Sequence, residues 1–345
     1  MSTNPTYRSA CKASAETTVL GMLSATWMGR AIYYAVKTGI FARIAGGSTR
    51  ARTLAEEIGV TADTLYRLLK GLEHLELLSE TPDHEFQLTV LGRTLLPHAR
   101  GRLAAMALLW GEEFHAAWSA LPEAMATNRT AFEVAFGEPL FPYLARRADV
   151  AERFNEAMQG IAELLYPELA TALSWTATSH VMDVGGGSGR LLATLLHAHP
   201  HLTGTLFDLP HVVNEAATLD TNAQLGRRLT LYGGDFFQDV PQHADCLILA
   251  NILHDWSDDR AAQILSNCRR ALGAESRLIL VEMALDNTQE PLLARSTDLN
   301  MLTLTGGRER SLAEFSALLH QADCELESVT NIQNMTCALV ARCAR

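Results

Sequence analysis

The chain has little cysteine, no long apolar run and a shortage of cations. Its six cysteines (Cys11, Cys246, Cys268, Cys324, Cys337, Cys343) are scattered, and no two form a C-x-x-C pair. That excludes a disulfide-framed scaffold and a zinc ribbon, and it reads as reduced thiols in a cytoplasmic protein. No His, Cys or carboxylate cluster has metal-ligand spacing, so no metal is expected. No uncharged apolar stretch reaches the ~20 residues that a membrane helix needs. The start, Ser2 to Lys12, is polar and lacks the apolar core of a secretory signal. Lys and Arg number 28 against 39 Asp and Glu, a formal net charge of -11. That balance argues against general binding to nucleic acid or an anionic membrane. Internal repeats and low-complexity tracts are absent as well. What remains is a globular chain of 345 residues, 48% apolar, long enough for two domains with their own cores.

The most informative stretch is Val181-Met182-Asp183-Val184-Gly185-Gly186-Gly187-Ser188-Gly189. An apolar run ends in an acid, glycines follow, and Leu191, Leu192, Leu195 and Leu196 then recur at helical spacing. That is a strand, a tight turn and a helix N-terminus, where backbone comes close to a ligand. The dinucleotide pattern G-x-G-x-x-G fails, because counting from Gly185 its last glycine falls on Arg190. The P-loop pattern fails because no Lys follows. The D-x-G-x-G-x-G pattern of S-adenosylmethionine methyltransferases fits.

Up to about residue 110 the chain reads mostly helical. Leu54–Val60 is a short helix closed by Gly59, Thr61 caps the next, and Leu65, Leu68, Leu69 and Leu72 line one face. Leu77–Glu80 and Phe86–Thr89, split by Thr81-Pro82-Asp83, read as a hairpin. Together these make a winged helix. Such a module binds DNA or dimerises. The recognition helix, Thr61 to Gly71, offers only Arg67 and Lys70 as cations beside Asp63, which favours dimerisation. Met22, Leu23, Trp27, Ile32 and Tyr33 supply either a partner surface or core. From 111 to 175 helical patterns continue, broken by prolines. Strand patterns follow at His180–Val184, Gly204–Asp208, Leu229–Tyr232, Cys246–Asn251 and Arg277–Met283, with helical patterns such as Asp258–Leu272 between most of them. Glu325–Ile332 and Thr336–Arg342 end the chain with no helix between them, as an antiparallel pair. The fold expected is α/β, a Rossmann-like doubly wound sheet behind a mostly helical winged-helix domain. The helix before the last pair opens on the capping box Ser311-Leu312-Ala313-Glu314.

Acidic residues end successive strands. Asp208, in Leu206-Phe207-Asp208-Leu209-Pro210, can accept from both hydroxyls of a ribose. Asp235, in Gly233-Gly234-Asp235-Phe236-Phe237, can accept from an adenine amino group that Phe236 covers. Each alone is as well read as a turn residue. In order along one sheet edge, they mark a cofactor crevice. His254, in Asn251-Ile252-Leu253-His254-Asp255-Trp256, follows the fourth strand and stands where a general base faces a methyl donor. Glu282, after Ile279-Leu280-Val281, and Glu309, in Gly306-Gly307-Arg308-Glu309-Arg310, are its acidic partners.

Taken together, Asp183–Gly189, Phe207–Pro210, Gly234-Asp235, His254-Asp255-Trp256 and Gly306–Arg310 resemble the plant caffeate/flavonoid-type O-methyltransferases and their bacterial natural-product relatives, over nearly the full length. The resemblance implies S-adenosylmethionine (SAM) as cofactor, with Asp183, Gly185, Gly187, Asp208, Leu209, Asp235, Phe236 and Asn251 at its site. It implies catalysis by His254 on a phenol, supported by Glu282 and Glu309. It also implies a homodimer built on residues 1–110, a helical connector at 111–175 lining the substrate pocket, and a SAM domain at 176–345. Plant members carry a Lys four residues before the catalytic His. Here that place is Ala250, so no Lys contact is expected and Asn251 is only a weak substitute.

Phe154-Asn155-Glu156-Ala157-Met158 resembles the family's pocket helix, and Met301 its pocket methionine. Trp27 and Asp255 complete that expectation. Gly111–Trp118, with Phe114 and His115, and Ala135–Glu138 are similar to segments of phenazine methyltransferases. Some of those methylate a ring nitrogen and lack the catalytic His; retention of His254 favours oxygen. The expected activity is O-methylation of a small polycyclic phenol, a hydroxyphenazine first. The alternatives are N-methylation of a heteroaromatic, another phenol or polyketide, a relative drifted to hydroxylation or decarboxylation, and a winged-helix regulator that senses SAM or a metabolite.

Overall fold

The computed structural model describes residues 14 to 343 apart from 243 and 335, and of residue 274 the backbone alone. Cys11, the polar start and the side chain of Cys343 lie outside the described residues. The chain divides into two compact units. One runs to His115 and takes in Leu144–Ile161; the other joins Ala116–Tyr143 to Ala162–Arg345. The stretch 111–175 is thus shared between them. Among the described residues, no helix is long and apolar enough to cross a membrane.

The first unit holds the winged helix. Helices Ala51–Ile58 and Ala62–His74 precede a hairpin of β1 (Leu78–Glu80) and β2 (Phe86–Leu88), with Leu78 opposite Leu88. Leu54, Leu65, Leu69, Leu72, Leu78 and Phe86 are buried together, and Leu68 packs at the margin. Gly59 closes the first of these helices in a left-handed conformation, as its position predicts. Thr61 sits at the N-cap of the second, but its hydroxyl bonds Thr64 Oγ1 (2.7 Å) instead of a backbone amide. Lys70 on that helix is paired with Glu73 and Glu80, which removes one of its two cations from any phosphate-facing role. The long helix Ala15–Lys37 splits its apolar residues. Ile32 packs on the core, and Tyr33 donates to Glu112 Oε1 (3.0 Å). Val19, Leu20, Met22, Leu23 and Trp27 face outward, Trp27 at 71% exposure.

The second unit is built on a seven-stranded sheet. Its strands are β3 (His180–Val184), β4 (Thr203–Asp208), β5 (Leu229–Gly233), β6 (Ala244–Ala250), β7 (Leu272–Met283), β8 (Cys324–Asn331) and β9 (Thr336–Cys343), in the order β5-β4-β3-β6-β7-β9-β8. The first five are parallel; β9 and β8 are antiparallel, as their missing crossover helix requires. Side chains alternate between two cores. Met182, Leu247, Leu249, Leu278 and Leu280 pack with the helices Asp258–Ala271 and Leu312–Gln321. Val181, Cys246, Ile248, Ile279 and Val281 pack with the helix Arg190–Ala198 on the other face. Strand order reverses between β3 and β6, so the crevice at a topological switch point opens beyond Val184 and Ala250. The Ser311–Glu314 capping box is formed.

Candidate active site and cofactor crevice

The glycine turn after β3 is built for close approach. Gly185, Gly187 and Gly189 have φ of 75°, 56° and 77°, which a side chain would strain. A Cβ on Gly185 would lie 2.6 Å from Ile252 Cδ1, whereas the space over Gly187 is open. Asp208 ties the turn to β4: its Oδ2 accepts from Gly187 N (2.8 Å) and its Oδ1 from Leu209 N (2.7 Å). Burial raises its pKa, and those two amides pull the other way.

Asp183 is 1% exposed, and its Oδ2 has no partner. A Cβ on Gly186 would stand 2.4 Å from that oxygen. Burial, and then the charge of Asp208, push its pKa up to about 8. A buried carboxylate left in this state suits a ligand cation. Asp235 is used as a turn cap, accepting from Phe237 N (2.9 Å) and Gln238 Nε2 (3.2 Å). Phe236 packs against Phe237 and Trp256, beside Gly185. Asn251 takes a left-handed φ of 54°, and its side chain lies beside that of the half-buried Tyr166. Burial, then the charges of Asp183 and Glu282, raise the Tyr166 pKa.

His254 lies in a single 3-10 turn, Leu253–Asp255, just past β6. Its Nδ1 is 3.1 Å from Glu309 Oε1 and 3.8 Å from Glu282 Oε2. Its Nε2 is 4.0 Å from Asp255 Oδ2. Glu282 Oε1 accepts from the amides of Ile252 (3.0 Å) and Leu253 (2.8 Å). The fold brings the two glutamates side by side because Ala284, just beyond β7, pairs with Arg310 in an isolated parallel bridge. Gly307 makes the approach of that loop feasible: a Cβ there would lie 2.0 Å from His254 O. Glu309 N donates to Asp298 Oδ1 (3.0 Å).

Burial alone favours a neutral ring. The carboxylates of Glu309, Asp255 and Glu282 outweigh it and hold His254 up at about 10. Burial also raises Glu282 and Asp255, against the pull of His254. His254, Glu282 and Glu309 therefore form a cluster of metal-ligand types within 4.8 Å that residue spacing does not announce. Both carboxylates address the same ring nitrogen, the arrangement a shared proton satisfies.

An O-methyltransferase domain matches residues 118–324, and an O-methyltransferase dimerisation domain matches 20–98. The chain belongs to the O-methyltransferase family. It is a SAM-dependent O-methyltransferase, and the crevice fits that cofactor through the unpartnered Asp183 oxygen and the open space over Gly187. A phenazine O-methyltransferase of Lysobacter antibioticus is 35% identical over 90% of this chain and 91% of its own length. The phenazine-1-carboxylate N-methyltransferase of Pseudomonas aeruginosa is 30% identical over 94% and 96%. Among solved structures, an O-methyltransferase from neocarzinostatin biosynthesis, in complex with SAM and 2-hydroxy-5-methyl naphthoic acid, matches with a TM-score of 0.79. It is 29% identical and covers 92% of this chain and 96% of that one.

Of the sequence-expected site residues, those of the catalytic and cofactor sets all fall in the second unit, with Asp255 and Met301. Trp27, Phe114, His115, Phe154 and Met158 belong to the first. There Phe114 is buried, Phe154 and Met158 are half-buried, and His115 and Trp27 are exposed. Two site residues had no signal of their own. Tyr166 sits in a helical stretch with nothing to mark it. Arg310 stands in the Gly306–Arg310 motif but carried no assigned role.

Proposed function

We propose that the enzyme methylates a phenolic hydroxyl of a small polycyclic aromatic, a hydroxyphenazine first, with His254 as general base. The observation that carries this is the pair of buried carboxylates on one edge of the His254 ring. They fix the ring so that Nδ1 faces Glu309 and Nε2 remains for the acceptor. SAM, when bound, supplies an electrophilic methyl on a sulfonium. Everything else falls to the chain: holding the donor along Asp183, Gly187 and Asp208, and accepting a proton at His254.

The energetics support the assignment. An ordinary His near 6.5 taking a proton from a phenol near 10 costs roughly 5 kcal/mol. With His254 raised to about 10 the transfer is close to level. The counterweight is that the ring is then protonated at neutral pH. A positive charge bound beside it favours the neutral form again.

Phenazine as acceptor class is supported by the Lysobacter relative and by the similarity around Phe114 and His115. Trp27, Phe114, His115, Phe154, Met158, Asp255 and Met301 are proposed to contact the acceptor, and Asp235, Phe236 and Asn251 the adenosine end of SAM. The dimerisation-domain match and the outward Val19, Leu20, Leu23 and Trp27 support a homodimer, which we place in the cytoplasm as part of the same proposal. Ring-nitrogen methylation is the second reading, favoured by the Pseudomonas relative.

Mass spectrometry of products from hydroxyphenazines, phenazine carboxylates and simpler phenols with SAM tests the proposal. An O-methylphenazine is the expected product; an N-methyl product, or turnover of non-phenazine phenols alone, overturns the substrate assignment. His254→Ala should lose about 10²- to 10⁴-fold in turnover while SAM affinity holds. Equal collapse of both makes His254 structural.

A further inference from the structure

We propose that Arg310 is a positioning residue for methyl transfer: its buried guanidinium holds the backbone of the turn that carries His254, and so sets where the imidazole meets the acceptor. The inference rests on the reading of His254 as base.

Arg310 is 0% exposed, the one fully buried Lys or Arg among the described residues. Its Nη1 donates to Leu253 O (2.8 Å), its Nη2 to Trp256 O (2.8 Å) and its Nε to Asp258 Oδ1 (2.9 Å). Those carbonyls bracket His254. Between them, His254 O accepts from Arg308 N (2.8 Å). Within the 3-10 turn Leu253 O already accepts from Trp256 N (3.2 Å), whereas the carbonyls of His254 and Trp256 take their partners from beyond it. The segment 308–310 provides them.

The chemistry of the side chain matters. Two carbonyls and a carboxylate around one planar group call for a fork of fixed donors. Arginine offers that fork, and lysine, with one compact ammonium, does not. A buried cation is also costly where an apolar side chain could fill the same space, so filling space is a poor account of it. Adjacency adds a further point. Glu309 reaches the His254 ring, and Arg310 reaches the backbone that the ring hangs from. One two-residue segment therefore fixes both the imidazole and the backbone on either side of it.

The test uses Arg310→Lys, Arg310→Met and Arg310→Ala in the full-length protein. Readouts are turnover of hydroxyphenazine, SAM affinity by calorimetry, and the titration of His254 by NMR with labelled histidine, assigned by its loss in His254→Ala. For Arg310→Lys we expect kcat to fall about 10- to 100-fold, with KM and SAM affinity within about threefold. The His254 pKa should fall toward the ordinary histidine value as the Glu309 contact loosens, and added guanidinium should restore part of the activity of Arg310→Ala. Unchanged His254 titration and kcat in a folded Arg310→Lys overturns the proposal. So does a parallel loss of kcat, KM and SAM affinity without rescue, and so does unfolding of all three variants. If the unmutated enzyme turns over no phenol, the acceptor reading fails, while the NMR titration still decides the role of Arg310.

Discussion

His254 Nδ1 and Glu309 Oε1 stand 3.1 Å apart, joining residues 55 positions distant in the chain. Glu282 is placed differently. Its Oε2 is 3.8 Å from the same nitrogen, while its Oε1 is committed to the amides of Ile252 and Leu253. One glutamate therefore holds the ring, and the other also holds the turn beneath it. The two should separate under mutation.

Glu309→Gln removes the charge nearest the ring. The His254 pKa should drop, so the rising limb of the kcat/KM profile should move to lower pH, because the base works only when neutral. A pH–rate profile checks this. A limb that stays in place dissociates Glu309 from the base.

Glu282→Ala leaves two amides without their acceptor. It should cost about 1–3 kcal/mol of stability as well as activity. Glu282→Gln keeps an oxygen for those amides and should retain more of the stability. Denaturant melts of the two variants make the comparison.

Asp183→Asn should stabilise the unliganded protein at neutral pH and weaken SAM binding. The unfolded carboxyl loses its proton near 3.9, whereas the folded one keeps it up to about 8. Its contribution to stability is therefore full below the unfolded value and lost as pH rises through the folded one, so wild type falls behind the Asn variant across roughly pH 4 to 8. Thermal melts over that window, paired with calorimetry of SAM binding, read both effects. Melts that run parallel across the window would contradict the raised pKa.

Gly187→Ala places a methyl in open space at a φ of 56°. The left-handed backbone costs about 1–2 kcal/mol, with no clash to add to it. SAM affinity should fall more than stability does. Unchanged affinity in the variant means the cofactor does not lie over Gly187.

Loading the enzyme with SAM should lower the His254 pKa, since a nearby cation favours the neutral ring. NMR titration with and without SAM measures the shift. An unmoved value means that the donor charge does not reach the ring.

The amino-acid sequence by itself determined the local pieces. Short apolar runs bounded by polar and glycine residues placed all five parallel strands and the closing pair, because such a run is a local feature of the chain. The glycines at 185, 187 and 189 marked the turn, since a positive φ selects for glycine wherever it falls. The acids that end β3 and β4, and His254 after β6, followed from the rule that ligands bind at strand ends. Tertiary structure decided the rest. It split the apolar residues of the helix Ala15–Lys37 between core and surface. It turned Asp235 into a turn cap, and it placed the half-buried Tyr166 beside Asn251. It also brought Arg310 and Glu309 beneath His254 through a single bridge between Ala284 and Arg310. Contacts over such separations depend on how the loop folds back along β7, and no periodicity in the chain records that path.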